Sequence, residues 1–360
     1  MKNSVKKQGS QLWTMIVQKL KAVFLLVWGK IKNFFKKLFS AAFWIDIGKR
    51  LKHFFSPRRI AHNIVHYDWK KWAHKNLNWY GLGRFAWIVT RTVLLVGISF
   101  LILYPFIVKA IVSLMSINDI ADNTVMFIPR EGSTYFIQRA LYNMSYWSSL
   151  LQTAFLSLLV ALIQLFISAV VGYGFARFKF KGKNFLFFLV ILSLIIPSQT
   201  IVIPLYNRFS LMGLLDTIWP VVILSMCGLG LKNGLYIYLM RQFFRGMPKE
   251  LEQSAYVDGA GPLRTFISIM LPNAFNMMIT VFLFSFTWQW TDTTYNSMLM
   301  PKVNILSNTI LKVASGVDDA LQAQALNDTA TLWVVLPLLI VFLFAQRYFI
   351  QSIERSGLVE

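Results

Sequence analysis

Six stretches of more than 20 residues, apolar throughout and free of Asp and Glu, limit what this chain can fold into more than any other feature. They cover residues 87–110, 147–176, 185–206, 217–240, 266–290 and 330–350. A bilayer core takes about 20 apolar residues per helix, so each stretch is long enough to cross one. Lys109 and Arg347 lie at the ends of their stretches; Arg91 and Lys232 are the full charges set inside. Arg91 is near enough to its start to reach the interface along its own stem. Lys232 lies about two turns from the inner end of its stretch. Two readings stay open for it: a snorkelling side chain, or one facing a polar cavity.

Composition removes the soluble alternatives. Hydrophobic residues make up 56% of the 360 and charged residues 14%, against about 45–50% and 25% in soluble domains. The single Cys227 excludes a disulfide framework and a cysteine metal cage. Against 36 Lys+Arg stand 15 Asp+Glu, a net charge of +21. Half of those cations precede residue 86, alongside only Asp46 and Asp68. That divides the chain into a basic extension, residues 1–85, and a hydrophobic body, residues 86–360. Because the basic part leads directly into membrane spans, it reads as an anchor on anionic lipid headgroups, not as a nucleic-acid surface.

Within the extension, Leu12, Ile16, Leu20, Val23, Val27, Ile31, Phe34, Leu38, Ala42 and Ile45 recur at steps of 3 or 4. This is the stripe of amphipathic helices lying in the membrane interface. A signal peptide does not fit, since Lys30 closes a minimal apolar core and no small-residue cleavage site follows. His62 and His66 lie one turn apart, but four ligands are wanting and no metal site is expected. With the extension placed in the cytoplasm, alternating spans put 28 basic residues on the inner side and 6 on the outer. Both termini are then cytoplasmic. Among the prolines, Pro220 and Pro272 stand in first turns, while Pro197 and Pro337 lie deeper and are candidates for bends.

The body carries no phosphate loop, no H-E-x-x-H, no histidine and no intramembrane carboxylate pair. No catalytic residues are expected. An ion-coupled carrier usually keeps intramembrane carboxylates or histidines. The body therefore reads as a passage whose energy comes from a partner. Residues 241–264 form the longest inner loop. Gly246 reads as a helix C-cap and Pro248 as a first-turn residue. Residues 249–257 read as a short helix with Glu250 and Glu252 at its positive end, stopped by Asp258-Gly259. Such a helix, presenting Leu251, Ala255 and their neighbours outside the bilayer, suits another protein's groove.

This loop resembles the EAA loop of inner-membrane subunits of ATP-binding-cassette importers, above all the maltose-type carbohydrate permeases. Their pattern is P-x-E-L-x-E-A-A-x-x-D-G-A with a later I-x-L-P. Pro248, Glu250, Leu251, Ala255, Asp258, Gly259, Ala260, Ile269, Leu271 and Pro272 match; Gln253-Ser254 replace Glu-Ala, and Glu252 places a carboxylate one position early. Residues 197–206, 213–217, 288–292 and 346–349 also resemble family segments, so the likeness extends from Arg84 to Glu360. It implies an all-α fold of six transmembrane helices, the type I importer permease fold. It implies partners: a second homologous permease, two cytoplasmic ATPases that bind the ATP and Mg, and an extracytoplasmic sugar-binding protein. It assigns ATPase coupling to the loop at 246–262, with Glu250, Leu251, Glu252, Gln253, Ser254, Ala255, Asp258, Gly259 and Ala260. A carbohydrate substrate, of oligosaccharide size, also rests on the resemblance. Gln164, Asn276, Ser285, Thr287, Trp288 and Gln289 combine the amides, hydroxyls and aromatic face of a sugar path. Each could instead bridge helices. A permease for another solute, a passive channel or carrier, and a membrane enzyme recruited by the extension remain as alternatives.

Overall fold

Long apolar runs become helices here because a helix satisfies its own backbone, and they stop where proline or a left-handed residue forbids it. The structure, a computed structural model, describes residues 79–122 and 124–356, with side chains from 83 to 346. The basic extension up to residue 78, with its amphipathic stripe and four histidines, lies outside the described residues. Contacts divide the chain into two units, residues 1–96 and 97–360.

Helix α1 (Trp79–Val112) runs through Pro105 without ending. Short helices α2 (Ile117–Ala121) and α3 (Tyr135–Asn143) lead to the 32-residue α4 (Tyr146–Arg177). The third expected span is broken: α5 (Lys183–Ile195) and α6 (Ser198–Leu211) meet at 100°. Pro197 is the cause, since it lacks an N–H and forces Ile196 into an extended conformation, with ψ 122°. The fourth is broken too, into α7 (Trp219–Met226) and α8 (Asn233–Gly246), with Gly228 and Lys232 between them at φ 72° and 59°. After α9 (Glu250–Val257), the fifth begins with α10 (Pro262–Thr265), a π turn (Phe266–Met270) and α11 (Leu271–Asn273). It then bends by 79° into α12 (Phe275–Thr291). Helices α13 (Thr294–Leu299) and α14 (Leu306–Thr309) precede the long α15 (Ala320–Ser356).

Among the described residues, three helices are therefore long and apolar enough to cross a membrane, and the two bent pairs make five. The expected spans at residues 185–206, 217–240 and 266–290 are each interrupted and are not single helices. Pro197 marks a break as expected, whereas α15 continues through Pro337. Its missing N–H frees the carbonyl of Trp333, four residues back, and the Tyr146 hydroxyl donates to that oxygen at 3.0 Å. A neighbouring helix has supplied the bond that the ring removed.

Helix α4 is the centre of the packing, lying mainly against α8 and α12. Gly172 permits the first approach: a Cβ there would stand 2.7 Å from Met240 Cβ and 2.9 Å from the Arg241 amide. Around it Tyr173 packs on Phe244 and Phe266, at ring centroid distances of 5.5 and 4.7 Å, with Met240, Met270 and Met277 filling the gaps. At the other end of α4, Tyr146, Phe286 and Trp290 join Leu326, Ala330 and Val334 of α15. There Trp290 Nε1 donates to the Val334 carbonyl at 3.1 Å, and Lys109 pairs with Asp328.

Candidate functional site

Two features stand apart from plain helix packing: the loop helix α9, and a groove where broken helices meet. Helix α8 continues through Gly246 and closes at Met247, so Gly246 is its last helical residue and not the expected cap. At the far end of α9, Asp258 is the C-cap and Gly259 takes φ 77°. The Gly259 amide donates to the Tyr256 carbonyl at 3.1 Å, and the Ala260 amide to the Ala255 carbonyl at 2.9 Å. These are the paired bonds of a Schellman stop, which needs a left-handed residue where glycine stands.

The loop residues divide between two faces. Glu252 and Ala255 are buried, Leu251 and Ala260 half-buried, and Glu250, Gln253, Ser254, Asp258 and Gly259 exposed. Ala255 thus faces this chain's own body, which corrects the expectation that it is presented outward. The apolar residues on the outer face are Tyr256 and Val257, continued by Leu263; Val257 is 87% exposed. On the inner face, Glu252 Oε2 lies 3.5 Å from Arg177 Nε at the end of α4. Both side chains are almost wholly buried, and Arg177 Nη2 also donates to the Met247 carbonyl at 2.7 Å. One guanidinium therefore ties both the start of the loop and α9 to the central helix. A low-dielectric setting makes such a pair costly to split. Position 252, and not position 253 where the family pattern has its glutamate, holds the carboxylate that this arginine meets.

The second feature lies where α5 gives way to α6 and α7 to α8. Two neighbouring cavities, about 160 and 380 Å³, share the lining residues Leu194, Ile196, Ser198, Leu231 and Lys232. Gln199, Trp288 and Asp292 line the larger, and Ser193, Asn233 and Tyr295 the smaller. Lys232 Nζ stands over the Trp288 ring, 5.2 Å from its centroid. Lys232 lines both cavities and is itself exposed. Asn233 is buried; its amide nitrogen donates to the Gly228 carbonyl at 3.1 Å, and its Oδ1 has no partner. Asp292, just beyond α12, caps α13 through the amides of Thr294, Tyr295 and Asn296, at 3.1–3.4 Å. Burial pushes its carboxyl up to about 6, against the lowering effect of those three amides.

The six expected path residues separate. Trp288 lines the groove and Thr287 beside it is exposed. Gln164 does not join them: it accepts from Ser285 and donates to Ser225 Oγ at 3.3 Å, joining α4, α7 and α12 in a buried bridge. Gln289 likewise donates to Asn296 Oδ1 at 3.1 Å. Gln164, Ser285 and Gln289 thus occupy the helix-bridging alternative, and Asn276 sits half-buried near the start of α12. Sequence reasoning missed Ser193, Ser198, Gln199 and Asn233. The signal was present in part: Pro197 marked one of the breaks that gather them.

Broken membrane helices around a polar groove, with an extramembrane helix clamped to the central span, define the molecule as a membrane transport component. Residues 164–355, more than half of the chain, match the family described as binding-protein-dependent transport system inner membrane component. The chain belongs to that family, and is a transport subunit and not an enzyme. It is 26% identical over 270 residues to the arabinooligosaccharides transport system permease protein AraQ of Halalkalibacterium halodurans, covering 72% of this chain and 92% of the relative. With the maltodextrin transport system permease protein MdxG of Bacillus subtilis it shares 26% over 269 residues, again 72% and 92%. The fold is that of a chain in the crystal structure of a bacterial ABC transporter involved in the import of the acidic polysaccharide alginate. The TM-score is 0.63 at 20% identity, over 76% of this chain and 99% of that one.

Proposed function

We propose that this chain is a permease subunit of an ATP-driven, binding-protein-dependent importer of carbohydrate, of oligosaccharide size. Residues 86–360 form six spans of the type I importer fold, three of them interrupted, and contribute half of the translocation path. Both termini are cytoplasmic. A second homologous permease completes the path, two cytoplasmic ATPases bind the ATP and Mg, and an external sugar-binding protein delivers the substrate. The sugar named for both relatives supports the substrate class.

The observation that carries the reading is the clamp of Arg177 on α9. A loop helix that must move spans has to be rigidly joined to one of them and free on its other face. Glu252 and Ala255 make the join, and Gln253, Ser254, Tyr256 and Val257 offer the free face. Closure of the ATPases then moves α9, and α4 moves with it. The groove opens alternately to either side, lined by Trp288 and the polar groups at the helix breaks. The test is co-purification of the detergent-solubilised chain with its ATPase, with ATP-driven uptake in vesicles. Val257→Arg should abolish both while leaving the chain in the membrane. ATP-independent uptake, or full coupling in that variant, would sink the reading.

A further inference from the structure

The proposed function leaves Lys232 without a role. It is exposed in the groove at the start of α8, with its ammonium over the Trp288 ring. No carboxylate pairs with it among the described residues. Asp292, the acid lining the same groove, has both oxygens engaged by backbone amides of α13. Two 14-residue helices, α6 and α8, also begin at this groove, so the positive ends of both dipoles add to the charge of Lys232.

We propose that Lys232 and Trp288 form an acidic-sugar subsite, so that the transported carbohydrate carries carboxylates. Before sugar enters, the ammonium rests on the Trp288 face. When a uronate residue arrives, the ammonium exchanges the ring for the carboxylate and a sugar face takes its place on the indole. A neutral sugar would leave the ammonium on the ring and the indole covered. The subsite deepens the importer reading and rests on it.

The importer complex, reconstituted in lipid nanodiscs, is titrated with trigalacturonate and with maltotriose in a calorimeter. Trigalacturonate should bind at least about ten-fold tighter, a difference of about 1.4 kcal/mol. Lys232→Gln should remove that margin and leave maltotriose unchanged, while Lys232→Arg retains it. Raising NaCl to about 0.5 M should weaken only the acidic ligand, a comparison that needs no variant. Equal affinities in the unaltered complex, binding of neither sugar, or equal loss of both in Lys232→Gln would overturn the subsite. ATP-driven uptake of neutral sugar alone would also overturn it, with the importer intact. Uptake of sugar without ATP would remove the importer reading itself.

Discussion

At the scale of single residues, two positions decide whether α9 can transmit force. A Cβ added at Gly259 would meet nothing within 4 Å, so the requirement there is the positive φ alone. Gly259→Val should cost about 1–2 kcal/mol locally and unwind the stop. Uptake should fall with the protein still membrane-bound, whereas Gly259→Asn should keep most activity. Arg177→Met leaves the Glu252 carboxylate buried without its cation, at a cost of about 3–5 kcal/mol. Adding Glu252→Gln should recover much of that loss, measured as thermal stability of the solubilised complex. Asp292 gives a pH signature. Because burial raises its carboxyl from 3.8 to about 6, the folded protein holds the proton more tightly than the unfolded chain. Its stabilising contribution is present below pH 4 and lost as pH rises to about 6. Asp292→Asn should flatten that part of the melting-temperature profile relative to the parent.

Among the elements, the bond from Tyr146 to the Trp333 carbonyl is a testable pairing of two helices. Tyr146→Phe leaves the Trp333 carbonyl buried and unpaired, which should cost about 1–3 kcal/mol. Pro337→Ala restores the intrahelical donor, so in that background Tyr146→Phe should cost little. Thermal melts of the four variants measure the coupling. Contact of α4 with α8 depends on Gly172 in a different way: a side chain there pushes on backbone atoms of α8. Gly172→Leu should lower the yield of folded protein in the membrane, since the helices can only separate. Of the breaks, Pro197 marked one in advance, while Gly228 and Lys232 read as residues within a span. What that mark could not disclose was that the breaks of separate spans lie beside one another and beside Trp288.

For the whole molecule, the proposed handle α9 and the groove at the helix breaks are distinct features. Both connect to α4, which carries Arg177 at one end and packs against α8 and α12 along its length. Motion delivered to α9 therefore reaches the elements that line the groove without passing through a flexible linker. This makes the handle and groove separable in experiment. Val257→Arg should stop ATP-driven uptake without changing sugar affinity, and Lys232→Gln should change sugar affinity without loss of the ATPase from the complex. Binding titrations and subunit recovery on the same preparations distinguish the two.

Apolar runs, charge asymmetry and the Asp258-Gly259 stop were enough to indicate a membrane chain, helical over its described residues, with a short loop helix. Each of these is a local property, because hydrocarbon thickness, surface potential and backbone sterics act on a segment whatever surrounds it. The direction in which Ala255 faces, the partner of Glu252, the bridging role of Gln164 and the placement of Lys232 over Trp288 were decided by tertiary structure. Each depends on residues far apart in the chain that only the packing of α4 with its neighbours brings within bonding distance.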